Sequence, residues 1–257
     1  MLERQSRRLE ALAEPARQSG LAIETAAVWD HPLYEGIVRH VNSSGADIVF
    51  KDTHQHAGPG LTALSNTDWS LIRTCPVPLW LVKPNELPDQ PRLIAAVDPM
   101  NEHDKPAALD DEILLIGESL AQATGGELHA FHSYDTSAAM APITTGLYVP
   151  AFIPPPDLLP RIRESHQKRF EEVLDLHNIG PERAHLAEGN THDVLPVLAK
   201  ELNASLVIMG AVARNRLKRI FIGATAERTL ERVPCDLLIV KPDWFKTPVK
   251  PEIEEAA

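Results

Sequence analysis

The chain has 257 residues, with 25 Lys and Arg against 36 Asp and Glu, a net charge of −11 and 44% hydrophobic residues. That length suffices for two domains of ordinary size, each with a buried core. The acidic balance argues against a general nucleic-acid-binding surface and an anionic membrane surface, and no apolar run approaches the roughly 18 residues of a membrane-spanning helix.

The predicted elements alternate between helix and strand. Residues 1–19 read as a helix with Leu2, Leu9, Leu12 and Ala16 on one side, ended by Gly20. Residues 21–29 read as a strand. Residues 31–43 read as a helix, with Leu33, Ile37, Val38 and Val41 at helical spacing and Gly45 as its cap. A short strand (46–51), a loop carrying His54, Gln55 and His56, a helix (64–74) and a strand (78–83) follow. Residues 85–91, with Pro88 and Pro91, read as a linker.

A second round opens with Leu93-Ile94-Ala95-Ala96-Val97-Asp98, a buried strand ending on a carboxylate. A helix over 104–124 is stopped by Gly125-Gly126. Then come a strand (127–134), a long loop (135–157), a helix (158–178), a strand (183–188), a helix (191–202), a strand (205–210), a helix (224–232) and a last strand (236–241). Cys75 and Cys235 each stand beside a proline at a strand entrance and read as small buried hydrophobes, which fits a reducing cytoplasm. Residues 1–5 show no apolar signal core.

The two rounds are copies. An offset of 158 residues pairs Lys83-Pro84 with Lys241-Pro242, Pro76 with Pro234, Leu79 with Leu237, and Ala46 to Val49 with Ala204 to Val207, without a gap from Glu24 to Pro84. Alternating strands and helices predict an α/β fold of two tandem doubly wound parallel-sheet domains. The expected boundaries are 1–84 for the first, 85–91 for the linker, 92–242 for the second and 243–257 for a tail. The first copy begins at the counterpart of the helix over 158–178, so it lacks a strand-helix-strand. Those strands are expected upstream of Met1 or from a partner.

The stretch of most chemical interest is Ser205-Leu206-Val207-Ile208-Met209-Gly210, an apolar strand ending on glycine. A basic loop with Arg214, Arg216, Lys218 and Arg219 follows, then Gly223 and Thr225 at a predicted helix start. In open α/β sheets ligands bind outside the carboxyl ends of strands, and a helix start with its free N–H groups suits an anion.

With these residues the chain resembles the universal stress protein family, in its tandem-domain branch. The resemblance runs from Met1 to about Val249 and is carried by residues 93–98, 206–210, 223–225 and the tail 241–249. Lys51-Asp52-Thr53-His54-Gln55-His56 and Thr67-Asp68-Trp69 also look like that branch. The resemblance implies five parallel strands in the order 3-2-1-4-5 with helices on both faces. It also implies a nucleotide site marked by glycine, two residues, glycine, nine residues, glycine and a hydroxyl residue. Gly210 and Gly223 keep their places, Ala213 replaces the middle glycine, and Ala224 holds the hydroxyl position with Thr225 next. Asp98 takes the place of the aspartate on the adenine and ribose side, and Arg214 and Arg219 lie on the basic loop. In the first copy the same places hold Asp52, Gln55, Ser65 and Asn66, which predicts no binding there.

The expected role is therefore a cytoplasmic stress-response protein, non-catalytic, sensing a ligand or binding a protein, with a degenerate nucleotide or phosphate site in the second domain only. ATP is the possible cofactor. The competing readings are slow ATP hydrolysis at that domain, and a larger phosphorylated amphipathic ligand under the apolar loop 136–156. A homodimer or intramolecular pairing of the domains is expected, with no nucleic acid, no membrane insertion and no catalytic residue. His54 and His56 lack further ligands for a structural metal, so no metal is expected. His129 and His132 point to opposite sides of their strand and read as core or edge positions. No nucleophile elbow or P-loop ending occurs.

Overall fold

The computed structural model describes residues 2–53, 64–100, 108–137, 155–210 and 224–251. They fall into two compact units, Met1–Ala46 with Thr247–Ala257, and Asp47–Lys246.

The first unit holds α1 (Leu2–Gln18) and α2 (Leu33–Ser44). Gly45 ends α2 at φ 66°, in the left-handed region that favours glycine, and its N–H returns to the Val41 carbonyl at 3.1 Å. Arg39 ties this unit together: its guanidinium meets Asp30 at 2.5 Å and Glu35 at 2.6 Å, and its Nε donates to the Lys250 carbonyl at 3.3 Å. Residues 21–29, expected as a strand, form no strand, and Leu21, Val28 and Trp29 are exposed. The reason lies in the repeat. The counterpart of this stretch in the second copy is held by a neighbouring strand on each ladder position, whereas among the described residues no strand pairs with 21–29. A strand exists only where a neighbour takes its backbone hydrogen bonds.

The second unit is built on a seven-stranded sheet. Its elements are β1 (Val49–Asp52), α3 (Asn66–Thr74), β2 (Leu79–Val82), β3 (Arg92–Ala96), α4 (Ala108–Thr124), β4 (Glu127–Tyr134), α5 (Leu158–Leu176), a short 3₁₀ turn, β5 (Ala184–Glu188), α6 (Thr191–Glu201), β6 (Leu206–Gly210), α7 (Ala224–Arg232) and β7 (Asp236–Val240). The sheet order is β1-β2-β7-β6-β3-β4-β5. All neighbours are parallel except β2 and β7. Within the second copy the order is the expected 3-2-1-4-5, and helices cover both faces of its central strands, which accounts for their continuous apolar runs. Leu93, Ala95, Val97, Leu206 and Ile208 share a core with Leu109, Ile113 and Leu114 of α4 and Phe170 and Leu174 of α5.

The antiparallel β2–β7 pair joins the two copies into one sheet. Asp236 accepts from the Trp80 indole N–H at 2.8 Å and from the Lys83 backbone N–H at 2.7 Å. Two buried lysines at equivalent repeat positions cross the joint. Lys83 Nζ donates to the Val233 carbonyl, and Lys241 Nζ to the Ile72 carbonyl near the end of α3. Both cysteines are free and buried, and burial pushes the Cys235 thiol up to about 12.

Candidate functional site

The chain connections diverge at β3 and β6. From β3 the chain turns outward to β4 and β5, and from β6 the other way to β7. The two strands run parallel in register, Ala95 beside Ile208 and Ala96 beside Met209, so their carboxyl ends lie side by side. This is the switch point at which α/β sheets take ligands. Asp98 follows β3, Gly210 ends β6, and Ala224 and Thr225 open α7. The structure therefore brings Asp98 and Gly210 to neighbouring strand ends. Ala213, Arg214, Arg219 and Gly223 lie outside the described residues, as do His54, His56 and most of the loop 136–156.

Asp98 is positioned by α4: its backbone N–H lies 3.2 Å from both carboxylate oxygens of the buried Asp110. Gly210 has a packing reason as well as a place in the motif. A Cβ there would fall 2.8 Å from Leu109 Cδ2 and 3.5 Å from Ile113 Cδ1, so the missing side chain is the room that lets α4 lie against the strand end.

Beside Asp98 stands a pair of histidines. His132 on β4 has Nδ1 3.2 Å from the Val97 carbonyl and Nε2 2.8 Å from His166 Nδ1 on α5. The Tyr134 ring stacks on His166 at 5.0 Å, and Phe170 lies 5.8 Å from His132. Burial holds His166 below the usual histidine range, and the Asp98 carboxylate acts against that shift. Sequence reasoning read His132 as a core or edge position and passed over His166. The signal was present: Ile162, His166, Phe170 and Leu174 stand four apart on one face of α5, and His132 and Tyr134 alternate on one face of β4. His129 faces the other way, with Nδ1 3.1 Å from His185 Nε2. Among the described residues, no group of three or more His, Cys, Asp and Glu is placed to hold a metal ion.

The repeat supplies an internal comparison for the start of α7. Its counterpart is α3, with Ser65 at the position of Gly223 and Asp68 at that of Ala226. Ser65 and Asp68 form a capping box. The Asp68 Oδ2 accepts from the Ser65 backbone N–H at 2.7 Å and its hydroxyl at 2.8 Å, while Ser65 Oγ accepts from the Asp68 N–H at 3.2 Å. Asp68 Oδ1 meets Lys51 Nζ at 2.7 Å, with Asp68 1% exposed. The first copy thus fills its own helix start with a carboxylate, where the second copy has a residue with no acceptor.

A sequence profile of the Universal stress protein family matches residues 1–83 and 92–241. The chain belongs to that family. Its members serve the stress response. Universal stress protein E of Escherichia coli is 32% identical over 238 residues, which is 92% of this chain and 74% of that protein. The protein of the same description from Photorhabdus laumondii is 31% identical over 235 residues, 91% of this chain and 73% of its own. Among solved structures, a functionally unknown protein from Pseudomonas aeruginosa superposes with a TM-score of 0.76 at 24% identity, over 93% of this chain and 78% of that one. A universal stress protein from Archaeoglobus fulgidus gives 0.64 at 18% identity over the same shares. These two likenesses show the fold, a largely parallel α/β sheet carrying tandem universal stress domains.

Proposed function

We propose that this universal stress protein senses a ligand, or a protein partner through that ligand, without catalysis, and that its one nucleotide or phosphate site lies at the β3–β6 switch point of the second repeat. The carrying observation is the contrast between the two helix starts. In α3 the terminal N–H groups are capped by Ser65 and Asp68, and Lys51 neutralises the carboxylate. A phosphate there would meet a buried negative charge. The second repeat has Gly223 and Ala226 at those positions, residue types that cannot form the same box.

ATP fits this crevice in part. Asp98 stands at the end of β3 as an acceptor for ribose hydroxyls, and Gly210 ends the adjacent strand. The packing of Leu109 into the space above Gly210 already explains that glycine, so the nucleotide reading leans on Gly223 and Asp98 more than on Gly210.

The test is a thermal-shift titration with ATP and Mg²⁺. A ligand at 100 times its Kd stabilises by about 2.7 kcal/mol, enough to raise Tm by several degrees. The wild type should shift. Gly223→Val and Ala226→Asp, the latter importing the carboxylate of the first repeat, should not. A wild type that stays unmoved, or a Gly223→Val protein that shifts as the wild type does, overturns the assignment.

A further inference from the structure

At the switch point one ring nitrogen has no partner among the described residues: His166 Nε2. Its protonation state follows from its neighbours. The Val97 carbonyl can only accept, so His132 Nδ1 carries the proton of that bond and His132 Nε2 bears the lone pair. His166 Nδ1 must then donate to it. In the neutral pair His166 Nε2 is therefore an acceptor. Tyr134 stacks on the ring and Phe170, four residues on in α5, packs beside His132, which fixes the orientation of both imidazoles. Asp98 directly follows Val97, whose carbonyl holds His132, so its carboxylate belongs to the same strand end as the histidine pair, and it acts on His166. Two acceptors thus border the end of β3, where a ligand must present donors.

We propose that His166 Nε2 accepts a hydrogen bond from the ligand of the second-repeat site and, together with Asp98, selects ligands with two adjacent O–H or N–H donors, as in the cis-diol of a ribosyl group. This rests on the reading of that site given above. The groups facing His166 are His132 and Tyr134 from β4, Asp98 beyond β3 and Phe170 on its own helix. A proton on Nε2 turns the acceptor into a donor and draws Asp98 towards it, so acid weakens binding. A histidine that gripped a phosphate would do the opposite.

The experiment is calorimetric titration of Mg-ATP, adenosine and 2′-deoxyadenosine into wild type and His166→Asn at pH 7.5 and 5.5. The asparagine amide nitrogen takes the place of Nδ1 and keeps the bond to His132, but nothing replaces Nε2. The variant should melt as the wild type does and bind Mg-ATP and adenosine about 2- to 10-fold more weakly at pH 7.5, the range of one neutral hydrogen bond. Wild-type affinity should fall at pH 5.5 and that of the variant should not. The wild-type preference for adenosine over its 2′-deoxy form should narrow in the variant. Nitrogen-15 NMR at neutral pH should show His166 protonated on Nδ1. The inference is overturned, with the site left standing, by an Nε2-protonated tautomer, equal affinities, or tighter wild-type binding at pH 5.5. If none of the three ligands binds the wild type, the site reading fails and takes this one with it.

Discussion

Replacing Asp68 by alanine measures the device that closes the first repeat. The side chain is 1% exposed and is held from three directions: the Ser65 N–H, the Ser65 hydroxyl and the Lys51 ammonium. Losing a capping side chain costs about 1 kcal/mol. Removing one partner of a buried ion pair costs about 3–5 kcal/mol. Here Lys51 is 17% exposed on the edge strand β1 and also donates to the Asp52 carbonyl, so it can turn to water and the lower end applies. The expected loss is about 3–4 kcal/mol, or roughly 6–15 °C in Tm at this chain length. Asp68→Asn keeps an acceptor for the Ser65 N–H but not the charge, and should fall about midway. The assay is urea and thermal unfolding read by tryptophan fluorescence and circular dichroism. If Asp68→Ala costs less than about 1 kcal/mol, the pair behaves as a solvated surface bridge. The contrast between the helix starts would then have no energetic content, and the functional reading would lose its support.

Burial holds the Lys241 ammonium down to about 8 against an ordinary 10.5, despite the Ile72 carbonyl and the Phe245 ring 4.9 Å away. The unfolded chain therefore binds more protons between those values, stability rises with pH through that window, and the wild-type minus Lys241→Met difference should climb by about 3 kcal/mol from pH 8 to 10.5; a flat difference refutes the burial. Gly210→Ala should destabilise by about 1–3 kcal/mol by forcing Leu109 aside, and the cost should shrink in a Leu109→Ala background; additive effects in the double variant would return Gly210 to a purely ligand-facing role.

Most of the sheet was legible because its signals are local. The strand over 127–134 and the helix over 224–232 are bounded in the sequence as in the structure, since periodicity and flanking breakers mark their ends. Residues 21–29 were misread because strand propensity is a local property and strand formation is not. Among the described residues, the alternation Leu21, Ile23, Thr25 has no neighbouring strand to pair with. The nucleotide motif was visible as spacing, but the packing role of Gly210 depends on Leu109, which comes 101 positions earlier in the chain. The His132–His166 pair was hidden for the same reason. Two histidines 34 residues apart meet only because β4 and α5 pack face to face. The capping box at Ser65 could have been read directly, from a serine followed three residues later by an acid.

The proposal of one site in a duplicated chain can be tested at the two helix starts. A switch point needs parallel strands on both sides of it. In the second repeat β6 has β3 beside it, while its counterpart β1 has β2 on one side and, among the described residues, no strand on the other. The helix start beside β1 carries the Ser65–Asp68 box and the Lys51 ion pair. At the equivalent positions the second repeat has Gly223 and Ala226, residue types that cannot build such a box. Keeping a helix start clear of a capping side chain in favour of a ligand is the stability–function exchange that ligand sites show generally. Importing the box into the second repeat should therefore gain stability in the same step that it loses the ligand. That coupling has a definite sign, which a merely degenerate repeat would not share.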